Sequence, residues 1–513
     1  MSEKLSGIVF SWLRELKIPV SKSYIKQQLL SHPDYPSLLS ITDTLTGLGI
    51  ENAAVQIEKE KLEELETPFL VHLNGNGGEF SIVKESKQTL QKEFLNRWSG
   101  IAVAAEKANE WRHGINLEWL QKDTLNQRKL LLTTLFFTGI VIISSFISFD
   151  WTKTGLLFIA LAGIFVSWMI VSKDLGIENK MADQVCGNEA DCNTVIHSDK
   201  LKLPFGIGWS DAGIIYFSFL LLTLVITAFT GTTAGIYPIL VLLSLTAFPV
   251  TLVSFYYQWR IIKKWCRLCL MTIGLLWLQI LILIPFIKGA VYYDFYNIKV
   301  LDVTFLILIL LITSAAWFWL KPLLISNKKS ESENFAFLRF KHNPEVFKAL
   351  LEKQKKITIN PDGLGITIGN LAAENTIIKV CNPYCGPCAK AHPVIDKLLE
   401  ENKNLKVQVI FTADDDEKDT RAKPVKHLMA LYEKGDELLM KNSLDDWYMA
   451  DKKDYDAFAA KYTLNGELER QGDKLKAMKT WCGEVKIEFT PTFFVNGYQL
   501  PKQYTIEDVK YFL

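Results

Sequence analysis

The stretch VCGNEADCNTVIHSDKLKLPFGIGWSDAGIIYF (Val185–Phe217) begins in a polar loop with two cysteines and ends inside an apolar run. A second cysteine pair, in WCRLCLMTIG (Trp265–Gly274), stands where another apolar run begins. Cysteines in such pairs can bridge and exchange electrons. The sequence therefore predicts a membrane bundle that carries thiol chemistry at one of its surfaces.

Six apolar runs come near or reach the ~20 residues that a spanning helix needs. They are Leu130–Phe149, Leu156–Val171, Ala212–Phe229, Tyr237–Tyr257, Leu268–Ile287 and Val300–Leu320. Six in succession with almost no internal charge favour spanning helices over buried core helices. The first two are joined only by Asp150–Lys153, which predicts a tight hairpin. An even number of spans places both flanking regions, and all eight cysteines, on or near one side.

Composition excludes several classes of protein. The 513 residues carry 57 Lys and Arg against 56 Asp and Glu, so the net charge of +1 gives no general case for nucleic-acid binding. A mean hydropathy of +0.13 averages an apolar block with charged flanks, which excludes a wholly soluble or a disordered chain. The apolar start, Gly7–Leu13, runs into charges and lacks a cleavage site, so we expect an amphipathic helix there and no cleaved signal peptide.

Two arguments about membrane orientation conflict. The Lys and Arg residues near the runs crowd the cysteine side: Arg128, Lys129, Lys173, Lys180, Lys200, Lys202, Arg260, Lys263, Lys264, Arg267, Lys321, Lys328 and Lys329. The other side has Lys153, Lys288 and Lys299. The positive-inside rule places the cysteine side in the cytoplasm, whereas disulfide chemistry favours an oxidising compartment. We expect a multi-pass protein of the cell inner membrane with a periplasmic cysteine side; the cytoplasmic orientation is the alternative.

A third cysteine pair, Cys385 and Cys388, forms a C-x-x-C in NPYCGPCAKAHP. Residues i and i+3 share a helix face, and the positive helix N-terminus stabilises a thiolate. Three pairs on one membrane side predict a thiol–disulfide relay. The alternative for the four membrane cysteines is zinc, although C-x5-C is an unusual ligand spacing. We predict no metal site.

The C-terminal region, 335–513, reads as α/β. Thr376–Val380 predicts a strand, the C-x-x-C opens a helix, and FTPTFFVNG predicts a strand that begins at Thr490-Pro491. The pattern resembles the thioredoxin fold, and the mostly helical segment between Thr412 and Cys482 resembles the insertion of DsbA-type proteins. The resemblance implies Cys385 as nucleophile, Cys388 as resolving thiol and Pro491 as a cis-proline beside the disulfide.

Three other side chains of this region have two interpretations each. Cys381 and Cys482 either form an extra disulfide or are two separate buried thiols. His392 either tunes the cysteine pair or lies on the helix surface, and we favour the helix surface.

The residues around the membrane cysteines resemble the vitamin K epoxide reductase family over about Leu156–Ile287. A loop cysteine pair is followed by C-x-x-V-x-x-S, a glycine-containing turn into a span, and a C-x-x-C two spans later. The resemblance implies a four-helix redox core in which Cys266 and Cys269 reduce a non-covalently bound quinone, menaquinone or ubiquinone, with Cys269 nearer to it. Cys186 and Cys192 would be the shuttle pair. Ser198 matches the family serine, or caps a helix.

Two positions depart from that family. The vertebrate enzymes have a Tyr four residues after the second active-site cysteine, where this chain has Ile273, and their Asn falls near Trp209. The hydrogen-bond donors to the quinone are therefore left open. Bacterial members with a fused thioredoxin, which make disulfides, are the closer match.

The N-terminal region, 1–125, contains no cysteine. Ser31–Val55 and Glu93–Glu106 resemble the papain-like α/β peptidase domain that processes bacteriocins. Its thiol nucleophile is absent, Glu79 falls where its His is expected, and His72 has no partner thiol, so we expect no proteolysis. The domain either binds a double-Gly leader-like peptide or is purely structural.

Together these observations predict a multidomain membrane thiol:quinone oxidoreductase. Its parts are the peptidase-like domain (1–125), the membrane bundle (128–320, core 156–287) and the thioredoxin-like domain (335–513). Substrate thiols of proteins or peptides would pass electrons through the C-terminal and loop pairs to the membrane C-x-x-C and a quinone. The alternative function is a peptide-binding accessory of a leader-peptide export system.

Overall fold

The computed structural model describes residues 2–58, 61, 64–74, 79–85, 92–106, 114–147, 150–177, 179–186, 189–196, 208–231, 236–289 and 298–513. Its contacts divide the chain into two compact units. The first comprises Met1–Leu30 with Pro36–Phe335, and the second comprises Ser31–Tyr35 with Ala336–Leu513.

The first unit begins with three helices and an antiparallel sheet. The elements are α1 (Ser2–Glu15), α2 (Lys22–Ser31), α3 (Leu38–Gly47), β1 (Asn52–Gln56), β2 (Phe69–Leu73), β3 (Glu79–Val83), α4 (Lys92–Arg97) and β4 (Trp98–Ala105). The sheet order is β1-β4-β2-β3. Helix α1 is amphipathic as predicted, because Val9, Trp12 and Leu13 on its apolar face are fully buried. A helix-and-sheet arrangement of this kind does not by itself establish a papain-like fold.

The described residues of the apolar region are mostly helical. Its elements are α5 (Gly114–Ile147), α6 (Trp151–Asp174), α7 (Lys180–Cys186), α8 (Glu189–Ile196), α9 (Trp209–Thr230), α10 (Ile236–Tyr256), a π-helical turn (Tyr257–Ile262), α11 (Arg267–Gly289) and α12 (Val300–Lys341). Six of the described helices are long and apolar enough to cross a membrane, as the sequence predicted. The first cysteine pair lies on the short helices α7 and α8 rather than in an irregular loop.

Close packing and polar contacts fix the bundle. At Gly163 of α6 an added Cβ would lie 2.1 Å from the Phe217 ring of α9, so only glycine permits this approach of the two helices. Asp150 caps the N-terminus of α6 by accepting a hydrogen bond from Thr152 N at 3.0 Å. Lys321 of α12 donates to both carboxylate oxygens of Asp211 on α9, at 2.8 and 2.7 Å. These contacts hold α6, α9 and α12 together.

The second unit is an α/β fold of the thioredoxin type. Its elements are α13 (Pro344–Leu351), β5 (Ile366–Gly369), β6 (Asn375–Cys381), α14 (Gly386–Glu401), β7 (Leu405–Phe411), α15 (Ala422–Tyr432), α16 (Glu437–Met449), α17 (Tyr455–Lys461), α18 (Gly472–Glu484), β8 (Thr492–Val495) and β9 (Tyr498–Gln499). The sheet order is β5-β7-β6-β8-β9, with β6 and β7 parallel. Both predicted strands and the helical insertion (α15 to α18) are present.

Candidate functional site

The membrane C-x-x-C lies at the N-terminus of α11. Cys266 O accepts the first helical hydrogen bond, from Leu270 N at 3.0 Å, and Cys269 N donates to Cys266 Sγ at 3.3 Å. Cys266 is fully buried, whereas Cys269 is partly exposed. The unpaired amides of a helix N-terminus favour negative charge on a sulfur there. The predicted placement of this pair at the start of a span agrees with the structure.

The π-helical turn before α11 supplies a contact that the sequence reasoning missed. The fully buried Gln258 accepts a hydrogen bond from Cys266 N at 3.0 Å through its Oε1. The chain then passes through Lys263 in the left-handed region, at φ 55°. Such π-turns often occur at functional sites. A glutamine at the end of an apolar run was the available signal.

The loop pair lies against the membrane pair. Cys186 ends α7, Cys192 lies on α8, and both pack with Cys266 in one buried apolar cluster. The Cys192 thiol is hydrogen-bonded to both Cys186 and Cys266. With the contact between Cys266 and Cys269, the four sulfurs form a series from Cys186 to Cys192, Cys266 and Cys269. This order is the one a disulfide shuttle needs, because each exchange joins neighbouring sulfurs.

Cys186 and Cys192 are free thiols, and their burial keeps them protonated. Burial, followed by the hydrogen bond to Cys192, raises the pKa of Cys186 to about 12. The hydrogen bond to Cys266, followed by burial, raises the pKa of Cys192 well above the usual range of a thiol. The nearby charge of Lys173 acts in the opposite direction and lowers the pKa of Cys186. Exchange at this pair therefore depends on deprotonation inside an apolar cluster.

The four membrane sulfurs do not surround a common centre. Among the described residues, three ligand atoms that all lie within 4.8 Å of one another occur in the group His392, Asp396 and Asp445, and not among these thiols. A tetrahedral zinc site needs its ligands around one point. The serial arrangement favours the relay interpretation.

Two residues bear on whether the bundle could hold a quinone. Ile273 is buried and apolar, so it offers no hydrogen-bond donor. Trp209, at the first position of α9, has a buried Nε1 without a hydrogen-bond partner in the described part of the chain. A buried N–H without an acceptor is costly unless a ligand satisfies it, and a quinone carbonyl is such an acceptor. Ser198 lies outside the described residues.

The C-terminal C-x-x-C begins α14. Cys385 is the residue before the helix, and its Sγ donates to Thr490 O at 3.4 Å. The Thr490–Pro491 peptide bond is cis, as predicted. Cys388, one turn later, is fully buried, and burial, followed by the effect of Cys381, raises its pKa far above the usual range. The pair thus combines a half-exposed sulfur with an inaccessible one, as a nucleophile and a resolving thiol require.

A buried lysine under this pair was not anticipated. Lys379 of β6 is only 1% exposed, and its Nζ donates to Cys388 O at 3.1 Å. The same Nζ lies 4.6 Å from the centre of the Tyr448 ring. The Tyr448 hydroxyl and Cys381 Sγ are 3.1 Å apart. A lysine within the apolar run TIIKVC was the sequence signal.

His392 corrects one interpretation, because it is buried rather than on the helix surface. Its Nε2 lies 2.8 Å from Asp445 Oδ1 and 3.4 Å from Asp396 Oδ2. Burial, followed by Lys379, lowers the pKa of His392 to about 4. Burial, followed by the Asp445 charge, raises the pKa of Asp396 to about 7. The helical periodicity failed here because α16 covers this face of α14.

The remaining cysteines have separate environments. Cys381 Sγ contacts the Tyr448 hydroxyl, whereas Cys482 Sγ lies 4.0 Å from Phe411 O. Both are buried free thiols, and burial raises the pKa of each, that of Cys482 to about 11. The geometry favours two buried thiols over a fourth pair.

The two residues considered for peptidase chemistry have structural partners. His72 Nδ1 and Ser99 Oγ are hydrogen-bonded at 2.9 Å, and Glu79 pairs with Arg97 at 3.2 Å. Residues 1–125 contain no cysteine, so this region offers neither residue a thiol partner.

Two regions of the chain match known families. A family model described as the vitamin K epoxide reductase family matches residues 154–284, and one described as thioredoxin matches residues 362–513. Together they support a thiol–disulfide oxidoreductase with several membrane helices and a thioredoxin-like domain. They leave residues 1–153 uncovered, so the peptidase resemblance stays a prediction.

Several solved structures are similar to part of this chain. BdbD from Bacillus subtilis has 13% identity, covers 31% of this chain and 94% of its own, and gives a TM-score of 0.26. DsbA from Chlamydia trachomatis has 15% identity, covers 31% of this chain and 93% of its own, and gives a TM-score of 0.25. The catalytic domain of ScsC from Proteus mirabilis has 14% identity, covers 34% of this chain and 98% of its own, and gives a TM-score of 0.25. A search of curated proteins found no match to this chain.

Proposed function

We propose that this protein is a membrane thiol:quinone oxidoreductase that promotes disulfide formation. The observation that carries the proposal is the series of four sulfurs, Cys186, Cys192, Cys266 and Cys269, in one buried cluster at the start of α11. Buried thiols in contact order can pass a disulfide from one pair to the next without exposing it to water.

The first exchange would occur at the C-terminal pair. A client thiolate attacks Cys385 Sγ in the oxidised pair, a client–Cys385 bond forms, and Cys388 leaves as a thiolate. A second client thiolate then attacks the client sulfur and releases Cys385. The client loses two electrons and gains a disulfide, and the pair becomes a dithiol. Half-exposed Cys385 and inaccessible Cys388 suit this order of attack.

The loop pair would reoxidise the C-terminal dithiol by the same exchange in reverse. Cys186 and Cys192 then hold the two electrons as thiols, and contact between Cys192 and Cys266 carries the next exchange. Gln258 holds the amide of Cys266, which fixes the orientation of this sulfur at the helix start. Cys269, partly exposed at the outer end of the series, is the last sulfur.

A quinone at this end supplies an acceptor for two electrons and two protons. Trp209 is the side chain of this chain that we assign to hold it, because its buried Nε1–H has no acceptor. Replacing it by Trp209→Phe should raise the quinone KM about tenfold, the size expected for one buried hydrogen bond. Quinone binding measured by fluorescence quenching in the absence of thiols should weaken equally. An unchanged binding constant would exclude Trp209.

Trapping tests the first exchange. With Cys388→Ala, client proteins should stay covalently attached at Cys385 and run as adducts that dithiothreitol removes. The double variant Cys385→Ala/Cys388→Ala is the matched control and should give none. The absence of adducts, in cells that express the protein stably, would refute the role of Cys385.

A second experiment tests the series. Cys192→Ala interrupts it in the middle, whereas Cys482→Ala removes a buried thiol that the proposed path does not use. In membranes supplied with quinone, the first variant should leave the C-terminal pair reduced, and the second should leave its reoxidation intact. Normal reoxidation in both would mean that the C-terminal pair reaches the quinone by another path.

For orientation we propose the periplasmic side for the thiols, where clients of an oxidising relay occur. The cations near the spans favour the opposite side. Labelling in intact cells distinguishes the two orientations.

A further inference from the structure

Lys379 is a buried cation that thiol exchange alone does not explain. Its Nζ reaches Cys388 O at 3.1 Å and faces the Tyr448 ring. Among the described residues it makes no ion pair with a carboxylate, in contrast to Lys321 in the membrane bundle. A buried ammonium without a counter-ion is unfavourable, so an anion that forms during function is the natural partner.

The groups around this ammonium identify that anion. The titratable and charged side chains that surround it are Cys381 on β6, Cys385, Cys388 and His392 on α14, and Tyr448 on α16, with Asp396 and Asp445 beyond His392. His392 lies on the side of the two carboxyl groups and is uncharged near neutral pH. The Tyr448 hydroxyl stays protonated because its burial raises its pKa well above 10. Burial raises the pKa of Cys381 as well, so that thiol stays protonated. The negative charge that arises during exchange is on the cysteine pair, and Cys388 is the member whose carbonyl Lys379 contacts.

We propose that Lys379 is a positioning residue for disulfide exchange: its ammonium stabilises the thiolate that Cys388 becomes when the Cys385–Cys388 bond opens. The inference rests on the proposed function, in which a client thiolate attacks Cys385. One sulfur–sulfur bond breaks and one forms, and the electron pair of the broken bond stays on Cys388 Sγ. The positive charge beside Cys388 lowers the free energy of that product.

The consequence is a faster exchange. A thiolate that is stabilised by a nearby cation leaves faster. Burial of Cys388 opposes the same ionisation, so the cation matters most while the thiolate exists. The charge acts on the step that opens the disulfide, because the intact disulfide and the final protonated thiol carry no charge to stabilise.

The test is the rate at which glutathione opens the Cys385–Cys388 disulfide of the full-length chain in detergent micelles. The oxidised protein is mixed with excess reduced glutathione and alkylated at timed intervals, and the fraction of oxidised Cys385–Cys388 is measured by mass spectrometry. Lys379→Met removes the charge and the donor, Lys379→Gln removes the charge but keeps a donor for Cys388 O, and Lys379→Arg keeps the charge. Partly exposed Lys397 on α14, changed by Lys397→Met, is the control.

In both neutral variants the disulfide should open about tenfold more slowly than in the wild type, because the leaving thiolate loses its cation. Lys379→Arg and Lys397→Met should stay within threefold of the wild type. A glutamine variant that equals the wild type would show that only the hydrogen bond matters, and equal shifts in all three Lys379 variants would show a packing role; either result overturns the proposal. Because glutathione replaces both client and quinone, the result stands even where trapping or quinone reoxidation fails.

Discussion

The cluster of His392, Asp396 and Asp445 predicts a pH-dependent stability that one substitution should remove. In the folded chain the pKa of Asp396 is raised to about 7 by burial and by the Asp445 charge, against an ordinary value of 3.8. The folded state therefore binds this proton more tightly than the unfolded state. The protonated carboxyl stabilises the fold fully below pH 3.8, and the stabilisation is lost as the pH rises through 7.

The size of the effect follows from these two values. A change from 3.8 to about 7 corresponds to about 4 kcal/mol between low and high pH. Asp396→Asn keeps a neutral side chain of the same shape at every pH. Since Asp445 is 38% exposed and water reaches its carboxylate, we expect the variant to gain about 2–4 kcal/mol over the wild type at pH 8. At pH 4 the two proteins should differ by only about 0.6 kcal/mol, because the unfolded carboxyl is then partly ionised.

Hydrogen exchange in the full-length chain measures this difference. Amides of β6 and β7 that exchange only by opening of the second unit give its free energy of opening at pH 4 and pH 8, after correction for the intrinsic exchange rate. The lowered pKa of His392, about 4, is common to both proteins and cancels. A difference between variant and wild type that stays constant within about 0.5 kcal/mol would refute the reasoning.

Asp446→Asn is a control of opposite sign. Hydrogen bonds from Lys461 and from the Tyr462 hydroxyl lower the pKa of Asp446. Its stabilising contribution is therefore present above the ordinary pKa of an aspartate and lost as the pH falls. The variant should be less stable than the wild type at pH 8 and equal to it at low pH.

Three further predictions concern the membrane bundle and its orientation. Gln258→Leu leaves the buried amide of Cys266 without its acceptor, so reoxidation of the membrane pair by quinone should slow about tenfold, measured by stopped alkylation; an unchanged rate would remove Gln258 from the site. Asp211→Leu leaves Lys321 without its carboxylate partner and should lower the free energy of unfolding by about 3–5 kcal/mol. Adding Lys321→Met should recover most of this loss. Equal losses in the single and double variants would contradict an ion-pair role. A membrane-impermeant maleimide should modify Cys385 in intact cells, and protection until the cells are permeabilised would reverse the orientation.

The cysteine spacing and the apolar runs determined much of the architecture in advance. Six spanning helices, an α/β C-terminal domain and the strands around the C-x-x-C follow from local periodicity, which depends only on nearby residues. The cis bond at Pro491 and the position of each C-x-x-C at a helix start were likewise readable from short motifs. The resemblance to two families agreed with the later matches over residues 154–284 and 362–513.

Contacts between distant segments were not readable from the same patterns. The sequence names Cys192 and Cys266 as members of two pairs, but only the packing of α8 against the start of α11 shows that these two sulfurs touch. His392 has the spacing of a surface residue and is buried because α16 covers it. Lys379 and Gln258 acquire their roles from Cys388 and Cys266, which approach them only in the folded chain. Motifs and hydropathy thus determined the classes of element and the reactive residue types, since both are local properties. Tertiary structure alone decided the order of the sulfurs and the charges around them, since burial and electrostatics depend on which distant segments meet.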